Sequence, residues 1–273
     1  SSYINQKLKV GDVIEVMTPM GNFHSVLSGA NKKNYVLFAG GSGITPMMSI
    51  LKSILHIEKQ SNVTLIYANR DEAATIFKSE LEKIATDNKD NFTLVNVYDS
   101  PKTEVADLYK GIVTTDKAKA LVEKHGLGKA DEYFICGPGP LMENIKTTLE
   151  GLKVAKEKIH IEYFTAVAEA VAKAEGKTAN VKSKITIIQY GIETHFDLDT
   201  EGSSILDTAI DAGVDAPFSC KGAVCCTCRA KLIEGKVKMD ANFALTDAEV
   251  ADGFILTCQS HPLTEKVVVD YDA

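Results

Sequence analysis

Six cysteines occur in the 273-residue chain, and five of them fall between Cys220 and Cys258. Cys220, Cys225 and Cys228 stand in the run CKGAVCCTC, and Cys258 follows after a gap of 29 residues. A C-x4-C-x2-C spacing with one distant cysteine is that of a plant-type 2Fe-2S cluster. A short loop containing Gly222 can turn its amides toward the sulfides while three thiolates converge, and the fourth thiolate arrives from another element. Structural zinc is the competing use of clustered thiols, but it favours paired C-x2-C units. Cys226, a fifth thiol beside Cys225, reads as a non-ligand.

A second constellation is AGGSGITPMM. The apolar run YVLFAG reads as a buried strand that stops at Ala39. Glycines at 40, 41 and 43 let the backbone turn tightly, and Thr45 then Pro46 are expected to open a helix, as N-cap and first helical residue. Free N–H groups at such a helix start suit a pyrophosphate. Without a ligand the same residues make a plain strand-to-helix turn. Cys136 ends the apolar run EYFIC and is followed by Gly137 and Pro138. A lone cysteine on a buried strand is ordinarily an inert small hydrophobe, but the carboxyl end of a strand is where α/β proteins bind ligands. Asn69 and Arg70 follow the strand VTLIYA, where an adenosine ribose belongs. A guanidinium there can pair with a 2′-phosphate, which favours NADPH; Asp71 is the signal for the ribose hydroxyls of NADH.

Positioning these residues takes two folded units. Buried-strand and helix patterns alternate over residues 35–162: YVLFAG, a helix over about 46–58, VTLIYA, a helix over about 75–85, FTLVNVY, EYFIC, a helix over about 138–150 and Ile159 to Phe164. This predicts an α/β doubly wound domain on a parallel sheet. Residues 165–183 shift to Ala, Lys and Glu with no apolar side chain larger than valine, the composition of a linker. From Lys184, KITIIQY and ETHFDLD flank Gly191 as a hairpin, with a helix over about 204–211, a shorter one near Thr246 and short strands ending near Asp270. That is a small α+β domain.

Hydrophobic residues make up 45% and charged residues 25%, which excludes a disordered or fibrous chain. No apolar run approaches the roughly 20 residues of a membrane helix, so no membrane partner is expected. The net charge of -7 argues against nucleic acid. Acidity concentrates from Lys184 onward, with seven Lys and Arg against fifteen Asp and Glu. Clustered cysteines without a signal peptide predict a reducing, cytoplasmic setting.

At these motifs the chain resembles the ferredoxin-reductase superfamily, in the branch with a C-terminal ferredoxin domain. GSGITP followed by CGPGPLM is similar to its nicotinamide domain, and CKGAVCCTC, LTCQSHPLT and VVVDYDA are similar to its cluster domain. The resemblance runs over essentially the whole chain. It implies a nicotinamide domain over 31–164 and a β-grasp ferredoxin-like domain over 184–273. It also implies that residues 1–30 are the last part of a flavin-binding β-barrel, since the barrel's Arg-x-Tyr-Ser type motif does not occur. The chain is therefore expected to be a piece of a longer reductase and to bind flavin weakly or not at all by itself.

By the same resemblance, Gly41, Gly43, Thr45 and Pro46 bind the dinucleotide, and Cys136 and Gly137 lie beside the nicotinamide ring. Glu162 and Phe164 lie near the flavin, Ser1 and Ser2 at the tail of its phosphate segment, and Cys220, Cys225, Cys228 and Cys258 match the cluster ligands. Ala223 stands where relatives often carry glycine, and Cys226 where they carry another small residue. The implied function is a relay from NADPH or NADH through FAD to the cluster and on to the oxygenase component of a multicomponent monooxygenase. A reductase for a Rieske ring-hydroxylating dioxygenase, or a ferredoxin-type carrier without reductase activity, are the alternatives.

Overall fold

A computed structural model describes residues 2–16, 18, 21–164 and 180–273. The expected linker falls largely on residues outside that set, as does Ser1. A short helix, α1 (Ser2–Gln6), buries none of its residues. The described residues from 7 to 33 hold no strand, and Val10, Val13 and Val16 stand in solvent. Phe23 and Leu27 do pack, against the core described next.

Five strands, β1 (Asn34–Gly40), β2 (Asn62–Asn69), β3 (Phe92–Tyr98), β4 (Glu132–Cys136) and β5 (Ile159–Glu162), form one sheet in the order β3-β2-β1-β4-β5. Every pairing in it is parallel. The connecting helices are α2 (Ile44–Ile57), α3 (Lys78–Asp87), α4 (Thr115–Lys124) and α5 (Gly139–Gly151). Alternate side chains of a strand point to opposite faces, so Tyr35, Leu37 and Ala39 join α2 and α3 in one core, whereas Val36 and Phe38 join α4 and α5 in the other. A sheet covered on both faces explains the unbroken apolar run of β1. The doubly wound expectation is met.

Three details differ from the sequence expectation. First, α2 starts at Ile44 with Gly43 in the N-cap position, and Thr45 lies inside the helix, its hydroxyl donating to the Ser42 carbonyl at 3.0 Å. Second, α3 starts at Lys78. Asp71 intervenes by capping a short 3-10 turn, its carboxylate accepting from the N–H groups of Ala73 and Ala74. Third, α4 has no strong apolar stripe to announce it: it buries only Ala118, Leu121 and Val122. Its start is fixed instead by Thr114, whose side chain accepts from the Lys117 N–H.

The second unit contains β6 (Lys182–Gln189), β7 (Ile192–Asp199), α6 (Ile205–Asp211), β8 (Arg229–Glu234), β9 (Val237–Met239), α7 (Asp247–Ala251), β10 (Phe254–Leu256), β11 (Ser260–Pro262) and β12 (Lys266–Asp270). Its main sheet runs β10-β8-β12-β6-β7, with β12 parallel to β6 and the other neighbours antiparallel. Helix α6 lays Ile205, Leu206 and Ala209 on the core with Ile185, Ile187, Val267 and Val269. The hairpin at Gly191 and the short helix after Thr246 stand where the sequence predicts them. No helix among the described residues is long and apolar enough to cross a membrane.

Candidate functional site

Register brings the distant cysteine home. Strands β8 and β10 are antiparallel neighbours with Arg229 opposite Leu256, so Cys228, just before β8, meets Cys258, just after β10. Thr257 fastens the junction by donating its N–H at 3.2 Å and its hydroxyl at 3.0 Å to the Cys228 carbonyl. Between Cys220 and Cys228 the backbone turns through left-handed conformations at Lys221 (φ 49°) and Ala223 (φ 63°). A Cβ makes this conformation costly by roughly 1–2 kcal/mol at each position. The return is a set of amides aimed at sulfur. The Gly222 N–H donates to Cys220 Sγ at 3.3 Å, Ala223 donates its N–H to Cys258, and Thr227 donates to Cys225.

The four thiols come as two hydrogen-bonded pairs, Cys220 with Cys225 and Cys228 with Cys258. Donation from Cys228 draws the Cys258 thiol down to about 6 and, with burial, pushes Cys228 itself up. Burial opposes ionisation of Cys225, but the hydrogen bonds from Thr227 and Cys220 outweigh it and bring that thiol down. Among the described residues no three Cys, His or acidic side chains gather as a site for one ion would require. Two sulfur pairs with amides directed at them instead fit a binuclear iron–sulfur cluster, each pair taking one iron. Cys226 belongs to neither pair. Its thiol is directed at the Ala244 carbonyl, 3.6 Å away, and burial pushes it up.

The other candidate residues converge where β1 and β4 lie side by side and the chain changes direction across the sheet, the crevice in which such folds bind ligands. The two loops there are pressed together. A Cβ on Gly43 would come within 2.1 Å of the Cys136 carbonyl oxygen, and one on Gly40 within 2.4 Å of Leu141. Gly41 is different: its φ is +50° and nothing lies within 4 Å of where its Cβ would be. Gly43 and Gly40 thus let the loops close, while Gly41 offers bare backbone beside the start of α2. Fourteen residues long, α2 presents its first amides to this crevice, which fits a dinucleotide pyrophosphate.

The Cys136 side chain is fully buried in the core beneath α2, and burial, then the charge of Glu162, pushes its thiol up to about 12. At the crevice it contributes size and backbone rather than a nucleophile. Burial also raises Glu162, which faces Cys136 in the β4–β5 register. Phe164 follows, half exposed. At the end of β2, Asp71 is tied into its turn, while the Arg70 side chain is 77% exposed with its Nε 3.5 Å from Asp71. Ser2, in α1, is exposed and joins none of these groups.

A cavity of about 350 Å³ joins the two units. His160 and Glu162 line one side, and Cys225, Cys226, Thr227 and the loop Phe243 to Thr246 line the other, with Asn22 and Phe23 at the edge. Tyr163 and Phe243 meet across the joint with ring centroids 5.1 Å apart. The structure therefore brings a carboxylate of the first unit and a predicted cluster ligand of the second to one space. His160, Asn22 and the Phe243 loop carry no motif, so their place at the joint is set by the fold alone.

Comparison with known proteins agrees with this geometry. Residues 37–148 match the oxidoreductase NAD-binding domain family and residues 187–263 the 2Fe-2S iron-sulfur cluster binding domain family. The chain is 36% identical to a subunit of the 1,2-phenylacetyl-CoA epoxidase of Escherichia coli (strain K12), covering 100% of this chain and 76% of that protein. It is 34% identical to the ferredoxin reductase component of 3-ketosteroid-9-alpha-monooxygenase from Mycobacterium tuberculosis (strain ATCC 25618 / H37Rv), covering 100% and 72%. An intact type IV self-sufficient cytochrome P450 monooxygenase shares the fold, with a TM-score of 0.62 at 20% identity over 98% of this chain and 31% of that longer one. The chain belongs to the family of NAD(P)H-dependent flavin and iron–sulfur reductase components of multicomponent oxygenases.

Proposed function

We propose that this chain supplies electrons to a phenylacetyl-CoA epoxidase. The observation that carries the acceptor is the 36% identity to the phenylacetyl-CoA epoxidase subunit over the whole chain, and the relay within the chain is supported by the shared cavity, where Glu162 of the nucleotide unit and Cys225 of the cluster unit line one space. FAD, when bound, would supply the conversion between the two-electron chemistry of NAD(P)H and the one-electron chemistry of a 2Fe-2S cluster. Gly41 and the first amides of α2 hold the pyrophosphate, and Arg70 takes the 2′-phosphate of NADPH. The Cys136 backbone and Gly137, at the end of β4, would leave room for the nicotinamide beside the crevice. Glu162 retains its proton to higher pH than an exposed carboxylate, since burial raises it. Cys220 with Cys225 and Cys228 with Cys258 hold the two irons.

In this reading residues 31–164 form the nucleotide domain, 165–183 the linker and 184–273 a β-grasp cluster domain. Residues 1–30 are the C-terminal part of a flavin-binding barrel. The free thiols suit a reducing cytoplasm. The near-equal identity to the ketosteroid component favours a second reading, in which the acceptor is a ring-hydroxylating oxygenase. Product formation with each oxygenase component separates them: phenylacetyl-CoA epoxidation at a much higher rate than steroid hydroxylation is expected, and the reverse order overturns the assignment.

A further inference from the structure

The short helix α7 opens with a capping box, in which Glu249 Oε2 accepts the Thr246 N–H and hydroxyl, both at 2.9 Å, and Thr246 Oγ1 accepts the Glu249 N–H at 3.2 Å. That reciprocal pair already satisfies the helix end. Yet the carboxylate has two further partners. Asn22 Nδ2 donates to the same Oε2 at 3.1 Å, and Arg229 Nε lies 3.6 Å from Oε1.

These partners belong to opposite sides of the joint. Asn22 sits in the segment that precedes the nucleotide sheet and edges the shared cavity. Its amide also approaches the Ala244 carbonyl at 3.4 Å, the same carbonyl that the Cys226 thiol approaches. Arg229 directly follows Cys228 and donates its backbone N–H to the Cys226 carbonyl at 3.1 Å. Its guanidinium lies 3.6 Å from the centroid of the Phe254 ring, and its buried Nε has no hydrogen-bond partner among the described residues, so Glu249 holds it as an ion pair only.

We propose that Glu249 is a positioning residue for electron entry into the cluster: it ties Asn22 to Arg229 and so holds the Cys225–Cys226 edge of the cysteine loop on the cavity lined by Glu162. The inference rests on the relay described under the proposed function. Besides these polar contacts, the joint has the Tyr163–Phe243 ring contact and an exposed Lys156–Asp247 pair at 3.9 Å. Loss of one charge-assisted contact in so small a joint shifts the docked population measurably.

The test compares Asn22→Ala, Glu249→Gln and the double variant in the cluster-loaded reductase in which this chain is joined to a flavin-loaded barrel. Glutamine at this position preserves the capping box while removing the charge. Either single variant is expected to slow NADPH-driven cluster reduction roughly three- to tenfold, with the double variant no slower than the worse single one. Direct reduction of the cluster by dithionite keeps its rate. Hydrogen exchange supplies a readout that needs no turnover: amides at 21–24 and 243–246 exchange faster together in both single variants. The proposal is overturned if Asn22→Ala changes neither readout, or if Glu249→Gln loses protection only within α7. Failure of the unaltered holoenzyme to reduce its cluster with NADPH would instead reject the relay, with the exchange data still judging the joint.

Discussion

Cys226 follows Cys225 directly, yet its thiol is directed at the Ala244 carbonyl instead of a sulfur partner. Cys226→Ser should therefore keep the cluster's visible absorption and iron content, whereas serine at Cys220, Cys225, Cys228 or Cys258 should abolish both. Zinc without iron in anaerobically prepared protein contradicts the ligand assignment. Arg70 makes a separable prediction, because its side chain projects into solvent and pairs with Asp71 at 3.5 Å. Arg70→Ala should raise the KM for NADPH by roughly an order of magnitude, the worth of one charged hydrogen-bond partner, and leave that for NADH nearly unchanged. Equal effects on both nucleotides contradict a 2′-phosphate contact.

At the scale of elements, the two βα loops of the crevice depend on what glycine leaves out. With only 2.1 Å between a Cβ on Gly43 and the Cys136 carbonyl oxygen, Gly43→Ala must part the loops. A cost of roughly 1–3 kcal/mol is expected, read as a lower Tm together with weaker nucleotide binding. Gly41→Ala meets no neighbour, so it should weaken nucleotide binding at a smaller cost in Tm. These roles show where sequence was informative. Gly-Gly-Ser-Gly announced a tight turn, and the parallel sheet was legible because strands buried on both faces read as continuous apolar runs. Which glycine met a loop and which met open space was not legible, since that depends on Cys136 approaching from a strand almost a hundred residues away. Thr45 misled for a related reason: the contact at Gly43 fixes the helix start, leaving threonine inside the first turn. The cysteine pairing was legible as spacing, whereas the partition into two pairs needed the β8–β10 register.

For the whole molecule, charge makes two predictions, one for stability and one for the encounter with an oxygenase. Glu58 is completely buried at the base of the nucleotide sheet. Burial alone would raise its pKa, but hydrogen bonds from Ser61, Asn31, the Ser28 amide and Tyr35 outweigh that and hold it below the usual value of 4.5. A depressed carboxylate stabilises the fold above its unfolded pKa and loses that contribution as pH falls through the folded one. The urea midpoint of the nucleotide unit should thus decline below about pH 4.5, and Glu58→Gln should flatten that decline. An unchanged slope contradicts the role. Toward the oxygenase, residues 191–219 carry seven Asp and Glu and no Lys or Arg, and Lys221 is paired with Asp207 at 2.6 Å. Electron delivery to a basic acceptor surface should slow as ionic strength rises toward 0.1 M, where the Debye length is about 10 Å. A flat salt series removes steering and leaves the cluster assignment intact.

In the proposed relay, electrons pass from the nicotinamide crevice to the 2Fe-2S cluster across the cavity between the two units. Anaerobic titration with NADPH of the cluster-loaded reductase in which this chain is joined to a flavin-loaded barrel, followed by electron paramagnetic resonance, decides whether that connection works. NADPH should give the signal of a reduced 2Fe-2S cluster, lost when flavin is removed and restored when it is returned. A cluster that dithionite reduces but NADPH leaves oxidised, with flavin present, would refute the connection.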